Sequence, residues 1–350
     1  MAQVLCILSD IDIYLLHYLP IKSLLSLACI SKSQNQFLLS IDFFAELFYL
    51  KQNIIRLKTF DIIDYSSRYG FISLIKYICG LGISFNYSDN AINWASENGH
   101  VHVLEWFKNS DCFFTYDRLA IMLASKNGYV SVLEWFKKSG YVLIYDEWAI
   151  NWASINGHVN VLEWFKNNNY EFKYNEWAIN WASLNGQIQV LEWFSNSKYE
   201  FKYTESAIDW ASQNGHVCVL EWFRRSIYKL KYSKNAVNWA SGGGHVNVLE
   251  WFRDNLCEFI YDYDAIRNAS YYGHILVLEW FKKNICEICY DMNSIKYACK
   301  NGHIEVLQWF KNNGIKFMYE QVIINYIDNN IEMYILFKSN TINNHLYFKY

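Results

Sequence analysis

Histidine, which can ligate a metal ion or transfer a proton, recurs at regular places in the sequence. The recurring residues are His100, His158, His216, His245, His274 and His303. Tyr129 and Gln187 take the same place in two further copies of the pattern, and neither side chain has the chemistry of an imidazole. Helical layers stack about 10 Å apart, which holds neighbouring histidines too far from one another to share a metal. The series therefore predicts neither a metal site nor a catalytic base.

The nine cysteines are the other candidate ligands, and Cys286 and Cys289 form a C-x-x-C pair. A structural zinc site needs a second such pair or suitably spaced histidines, and the sequence provides neither. An odd number of mostly scattered cysteines is typical of reduced thiols. We therefore expect no bound metal, and a cytoplasmic or nuclear protein.

Glutamate also recurs, early in one class of segment represented by Glu163. Its carboxylate suits a helix dipole or caps a turn, and no residue pairs with it specifically. The sequence has no nucleophile–histidine–acid cluster, phosphate-binding loop or Mg²⁺ motif. We therefore expect no catalytic activity and no cofactor.

The elements that carry these residues repeat with a fixed period. Glycines recur every 29 residues, at Gly70, Gly99, Gly128, Gly157, Gly186, Gly215, Gly244, Gly273 and Gly302. A fixed period of about 20 to 50 residues is typical of solenoids. The sequence therefore predicts an all-α fold, an α-solenoid of stacked helix-turn-helix repeats.

Each repeat consists of two predicted helices. The first helix follows a residue able to cap free N–H groups, namely Ser88, Asp117, Asp146, Asn175, Thr204, Ser233, Asp262 or Asp291. In the third complete copy that helix ends at Gly157, which supplies a left-handed cap. The second helix places Val161, Leu162 and Phe165 on one buried face. Such a hairpin cannot bury its apolar side alone, so the repeats must stack.

Fifteen tryptophans follow the same period. Eight occupy one column: Trp106, Trp135, Trp164, Trp193, Trp222, Trp251, Trp280 and Trp309. Five occupy a second column: Trp94, Trp152, Trp181, Trp210 and Trp239. We expect these thirteen to pack between repeats, where losing one ring costs about 3–5 kcal/mol. Trp148 and Trp177 share a third position.

The segment Ala-Ser-x-Asn-Gly-His-Val-x-Val-Leu-Glu-Trp-Phe resembles the ankyrin repeat, whose core runs Ala-Ala-x-x-Gly-His-x-x-Val-Val-x-x-Leu-Leu. The resemblance covers nine repeats over 58–318, and 319–350 reads as a degenerate repeat and C-terminal cap. It implies stacked helix pairs and a histidine that braces the turn through a hydrogen bond. The repeat is shorter than is usual in the family, and no Gly-Ala-Asp-Val-Asn turn follows its second helix. We therefore expect the β-hairpin fingers of ankyrins to be reduced.

Residues 1–50 lack the repeat and consist of three short amphipathic segments, a predicted three-helix module. Tyr18-Leu19-Pro20, Leu24-Leu25 and Ile30-Ser31-Lys32 are similar to the F-box, although Ser9 stands where the first proline is expected. The resemblance implies docking on the SKP-type adaptor of a cullin–RING ubiquitin ligase. The adaptor-binding candidates are Leu8, Ile11, Leu16, Leu19, Pro20, Leu24, Leu25 and Ile30. Alternatively, the module only caps the open end of the solenoid.

Positions that vary between repeats are candidates for binding a partner, because packing does not fix them. In the first helix they include Glu147, Trp148, Asn151 and Ile155, which three- and four-residue spacing places on one face. The predicted partner-binding patch comprises Glu147, Trp148, Ile155, Glu176, Trp177, Leu184 and Glu205. Tryptophans rimmed by charge are typical binding anchors. The alternative is that both rings fold over the adjacent loop as half-buried structure.

Charge and hydropathy limit the kinds of partner. A net charge of −3 and a pI of about 6.3 give no footprint for nucleic acid. Apolar runs are much shorter than the roughly 20 residues that a membrane-spanning helix needs. The sequence therefore favours a protein partner, with neither nucleic acid nor membrane.

The combination of F-box-like and ankyrin-like segments resembles proteins encoded by large DNA viruses of amoebae, which implies the cytoplasm of a host cell. We expect a substrate receptor that links a bound target to a ubiquitin ligase. The alternative is a plain ankyrin-type binding scaffold whose N-terminal helices only cap the solenoid.

Overall fold

The helical repeat is visible in a computed structural model of the chain. The structure describes residues 61–80, 87–110, 114–255, 257–285 and 288–314. These residues contain 18 α-helices and no β-strand, as the period predicted. The chain divides into two units, Met1–Tyr174 and Asn175–Tyr350, each with its own array of stacked helices.

The described part of the first unit contains four helix pairs. They are α1 (Asp61–Tyr69), α2 (Ile72–Gly80), α3 (Asn90–Glu97), α4 (Val101–Asn109), α5 (Arg118–Lys126), α6 (Val130–Ser139), α7 (Glu147–Ile155) and α8 (Val159–Asn167). The module predicted over 1–50 lies outside the described residues.

The described part of the second unit contains five pairs. They are α9 (Trp177–Leu184), α10 (Ile188–Asn196), α11 (Ser206–Gln213), α12 (Val217–Arg225), α13 (Lys234–Gly242), α14 (Val246–Asp254), α15 (Tyr263–Tyr272), α16 (Ile275–Asn284), α17 (Met292–Lys300) and α18 (Ile304–Asn312). The predicted degenerate repeat and cap over 319–350 lie outside the described residues.

The first helices of consecutive repeats lie closest together in each unit. Their facing positions carry small residues such as Ala149 and Ala153, both fully buried, which lets the helix backbones approach. The second helices carry larger side chains such as Trp164 and Phe165, also buried, and lie farther apart. The apolar side of each hairpin is thus covered by the next hairpin.

Both ends of the first helices are fixed by the predicted residues. All eight capping residues accept a hydrogen bond from a backbone N–H two or three positions further on, as Asp117 does from Leu119 at 2.8 Å. The nine periodic glycines have φ between 68° and 79°, a left-handed conformation that side chains disfavour. The expectation of a glycine cap is confirmed.

The loops between pairs are stacked by a tyrosine that precedes the capping residue. The hydroxyls of Tyr116, Tyr145, Tyr203 and Tyr232 each donate to a carbonyl oxygen 26 residues further on, at 2.6–2.9 Å. Burial raises the pKa of Tyr145 to about 12, so its hydroxyl remains a donor at neutral pH. In these four cases a loop is therefore bonded to the next loop of the same unit.

Candidate interaction surface

The first and last residues of the first helices lie at the surface in both units. Arg118 and Lys234 are exposed at the first position, Glu205 is exposed just before the first residue of α11, and Gln213 is exposed at the last position. Glu147, Glu176, Ile155 and Leu184 are half-buried. The positions held constant by the repeat, by contrast, include residues such as Ile150, Leu162 and Phe165 that are fully buried. Variation between repeats at these two positions therefore coincides with access to solvent.

The two tryptophans of the predicted patch lie in different units. Trp148, in the first turn of α7, is half-buried beside Glu147 in the first unit. Trp177 begins α9 in the second unit, where its ring stacks on Trp210 at a centroid distance of 5.6 Å and lies 5.2 Å from Trp181. Aromatic packing thus holds part of the Trp177 ring and leaves the rest to solvent.

The variable position represented by Asn151 is buried, and the prediction that it is free of packing is wrong. Its side chain and those of Asn93, Asn180, Asp209 and Asn238 are at most 4% exposed. Asn93, Asn180, Asp209 and Asn238 each form a hydrogen bond with the capping residue of the next repeat. They form what we call the buried polar ladder.

Rungs of the buried polar ladder join a first helix to the capping residue 24 positions further on. Where the rung begins with an amide, its Nδ2 donates to an oxygen of the cap, as Asn238 does to Asp262 Oδ1 at 2.7 Å. Where the rung begins with a carboxylate, as in Asp209, it accepts from Ser233 Oγ at 2.6 Å and from Ser233 N at 2.9 Å. Burial raises the pKa of Asp209, and the two hydrogen bonds from Ser233 oppose that rise.

The other rungs obey the same complementarity between donor and acceptor. Asn93 pairs with Asp117, Asn180 with Thr204, and Asp64 with Ser88. A carboxylate never faces a carboxylate among these described rungs. The sequence variation at this position is therefore matched by variation in the following cap. Comparing the two columns, rather than one column alone, would have revealed this pairing.

The recurring glutamate binds a tryptophan of the next repeat. The indole Nε1 of Trp135 donates to Glu105 at 2.6 Å, that of Trp164 to Glu134 at 2.5 Å, and that of Trp251 to Glu221 at 3.1 Å. The hydrogen bond from Trp135 is the main reason that the pKa of Glu105 is lowered. These carboxylates thus bind the next repeat, and the expectation that no residue pairs with the recurring glutamate is wrong.

The two tryptophan columns differ in burial. Six of the eight rings in the first column are at most 8% exposed, whereas Trp106 and Trp222 are half-buried. All five rings of the second column are half-buried. Arg68 covers the Trp94 ring at 5.4 Å and Lys126 covers the Trp152 ring at 5.0 Å, both as cation–π contacts. Two rings of the second column are therefore covered by cations of the chain itself.

The histidines brace the turns, as the ankyrin resemblance implied, but they do so between repeats. Nε2 of His100 lies 3.1 Å from the Arg68 carbonyl oxygen, and Nε2 of His303 lies 2.9 Å from that of Tyr271. A carbonyl only accepts, so Nε2 carries the proton. Burial lowers the pKa of His100, His158 and His245. Among the described residues no group of histidine, cysteine and acidic side chains is arranged to hold a metal ion.

The predicted adaptor-binding residues lie outside the described residues. They are Leu8, Ile11, Leu16, Leu19, Pro20, Leu24, Leu25 and Ile30. In the described ranges no helix combines the length and the hydropathy needed to cross a membrane. Comparison of the chain with protein-family models and with curated proteins found no match.

Proposed function

We propose that this chain is a non-enzymatic scaffold that binds a target protein on the exposed ends of its first helices. The observation that supports this most is the division of the repeat. Constant positions such as Ile150 and Phe165 are fully buried, while the first and last positions of the first helix vary and reach solvent. A surface that is rigid underneath and varied on top suits protein recognition.

We place the target on two groups of residues, one in each unit. The first group is Glu147, Trp148 and Ile155 on α7, and the second is Glu176, Trp177, Leu184 and Glu205 on α9 and its neighbours. Half-buried tryptophans beside carboxylates provide an apolar anchor with a charged rim. The three glutamates make a basic segment of the target the favoured contact.

The proposal is tested by reversing the charge of Glu147, Glu176 and Glu205 to lysine. We expect target binding to fall by at least about tenfold, with an unchanged circular dichroism spectrum and melting temperature. The matched control is Glu279→Lys, an exposed glutamate of a second helix, which should bind the target as the parent does. Equal binding by all variants would remove this surface from the proposal.

We further propose, from the F-box resemblance of 1–50 and the ankyrin resemblance of 58–318, that the scaffold is a substrate receptor of a ubiquitin ligase. The N-terminal module would hold the SKP-type adaptor while the repeats hold the target, in the cytoplasm of a host cell. The alternative is that residues 1–50 only cap the helices.

Pull-down of an SKP-type adaptor with the full chain separates the two. We expect recovery by the parent chain and loss on changing Leu19 and Leu24 to aspartate. Failure of the parent chain to recover the adaptor would leave the plain scaffold. In that case deleting residues 1–50 should lower stability while target binding remains.

A further inference from the structure

A hollow of about 530 Å³ opens in the second unit where α13 ends. Trp239 and Tyr272 form aromatic walls, and Gly242 and Gly243 form its floor. Tyr272 is 59% exposed, which is unusual for so large a side chain. We call this feature the glycine hollow.

The glycine hollow lies where an asparagine that recurs at one position of the repeat is replaced. In other repeats an asparagine after the first helix donates to the last carbonyl of the preceding first helix, as Asn156 does to Lys126 and Asn214 to Leu184, both at 2.8 Å. Gly243 and Tyr272 take the asparagine's place in two consecutive repeats. The carbonyl oxygens of Gln213 and Gly242 therefore do not receive this amide hydrogen bond. The Gln213 oxygen accepts a hydrogen bond from the His245 ring, which leaves its second lone pair for another donor.

The hollow also has room because Gly242 has no side chain, whereas the same position in earlier repeats has one. Leu184 and Ile155 occupy the same repeat position in α9 and α7. At Gly242 an added Cβ would meet only side-chain atoms, the nearest being Asn268 Cβ at 3.1 Å. Gly242 therefore leaves the hollow without the side chain found at Leu184 and Ile155, and a Cβ added there requires a small shift of Asn268.

Trp239 belongs to a column of five rings, two of which the chain covers with a cation of its own. Arg68 lies over Trp94 and Lys126 over Trp152, each from 26 residues earlier. The residue 26 positions before Trp239 is Gln213, which carries no charge. Gln213 therefore brings no charge to Trp239, just as Ile155 and Leu184, at the same spacing, bring none to Trp181 and Trp210.

The electrostatics of the hollow do not oppose a cation. No lysine or arginine is among its lining residues, and burial lowers the pKa of His245, which keeps that ring neutral at physiological pH. Two basic side chains of the helices that border the hollow are bound to carboxylates, Lys234 to Asp262 and Arg267 to Asp291.

We infer that the glycine hollow binds the guanidinium group of an arginine side chain on the target protein. A guanidinium is flat, always charged and has five N–H donors, so it can lie on the Trp239 ring while donating to carbonyl oxygens of Gln213 and Gly242. Arg68 on Trp94 is the internal precedent for the ring contact. This inference rests on the proposed scaffold function and adds a chemical requirement for the target.

The test measures binding of an acetyl-Gly-Arg-Gly-amide peptide to the full chain by the ¹⁵N-indole NMR signals of its tryptophans. We expect the Trp239 signal, assigned from Trp239→Phe, to shift in a saturable manner at millimolar peptide. The citrulline peptide keeps donors but lacks the charge and should bind about tenfold more weakly. Equal shifts with the citrulline peptide, or shifts confined to other indoles, would overturn the inference.

Two variants alter the hollow in different ways. Gly242→Leu fills the hollow with the residue found at Leu184 and should weaken binding at least about tenfold. The shift of Asn268 opposes the gain in helix propensity, so the melting temperature is measured beside binding to show that the variant is folded. Tyr272→Asn restores the asparagine of other repeats and removes a wall, with the same expected loss. Lys300→Leu, at the same repeat position but outside the hollow, is the matched control and should bind normally.

Parent-like binding by Gly242→Leu and Tyr272→Asn would refute the site. This failure is distinguishable from failure of the scaffold function. Loss of target on reversing Glu147, Glu176 and Glu205, with no arginine-peptide binding, supports the scaffold and rejects the hollow.

Discussion

At the scale of single residues, the buried polar ladder is the feature that most constrains the sequence. A buried polar atom is costly unless it finds a partner. Asn238 and Asp209 occupy the same repeat position, yet one is a donor toward Asp262 and the other an acceptor from Ser233. The identity of the rung residue is therefore meaningful only together with the cap that follows it.

Changing Asn238 to aspartate should destabilise the second unit. The new carboxylate would face the carboxylate of Asp262 in a buried site, where like charges and a lost hydrogen bond together cost about 2–4 kcal/mol. Urea unfolding at neutral pH measures the loss. We expect the difference from the parent to shrink in acid, because one of two facing carboxyls then takes up a proton.

The control for that variant is Asn238→Asp combined with Asp262→Ser, which rebuilds the pair seen at Asp209 and Ser233. We expect the double variant to recover more than half of the lost stability. Strictly additive losses would show that the two side chains do not interact.

Glycine at the turns has a second role besides its left-handed φ. A Cβ at Gly215 would lie 2.6 Å from Nδ1 of His245, whereas a Cβ at Gly140, with similar φ, would meet nothing within 4 Å. We expect Gly140→Ala to cost about 1 kcal/mol from φ alone. Gly215→Ala should cost about 2–3 kcal/mol because the histidine must also move. Equal shifts of the two urea midpoints would contradict close packing of histidine on glycine.

At the scale of helices, the glutamate–tryptophan bonds join consecutive second helices. Removing Glu134 leaves the Trp164 indole N–H without its acceptor, so Glu134→Ala should cost about 1–2 kcal/mol. Among the described residues Trp280 Nε1 is buried and has no hydrogen-bond partner. Glu250, 30 residues before Trp280, is therefore the matched control, and Glu250→Ala should change stability by less than about 0.5 kcal/mol. Similar thermal shifts in both variants would argue that the bond contributes nothing.

Much of each helix pair follows from the sequence because its causes are local. Asp146 caps a helix through the N–H of Trp148, and Gly157 ends that helix with a φ of 77°, so both could be predicted from residue type and spacing. The roles of Asn151 and Glu134 could not be, because their surroundings are built by the neighbouring repeat. Reading one column at a time made Asn151 look free, although stacking buries it.

At the scale of the molecule, the histidines make stability depend on pH in the same sense in both units. Burial lowers the pKa of His100, His158 and His245 from the ordinary 6.5. Below that value the unfolded chain binds more protons at these histidines than the folded chain does, so protonation favours unfolding. Stability should be fully present above about pH 6.5 and decrease as the pH falls through the lowered values. Melting temperatures between about pH 7.5 and about pH 5.5 measure this decrease.

Replacing the three histidines by glutamine should make the melting temperature flatter over that range, because glutamine keeps an N–H donor but does not titrate. The chain itself places glutamine there, at Gln187. Asp209 acts in the opposite direction, because its raised pKa lets the folded state bind a proton at a higher pH than the unfolded state does. Both the parent and the triple variant contain Asp209, so its effect cancels when their melting temperatures are compared. An equally steep decrease in the triple variant would mean that groups other than these turn-bracing imidazoles govern the response to acid.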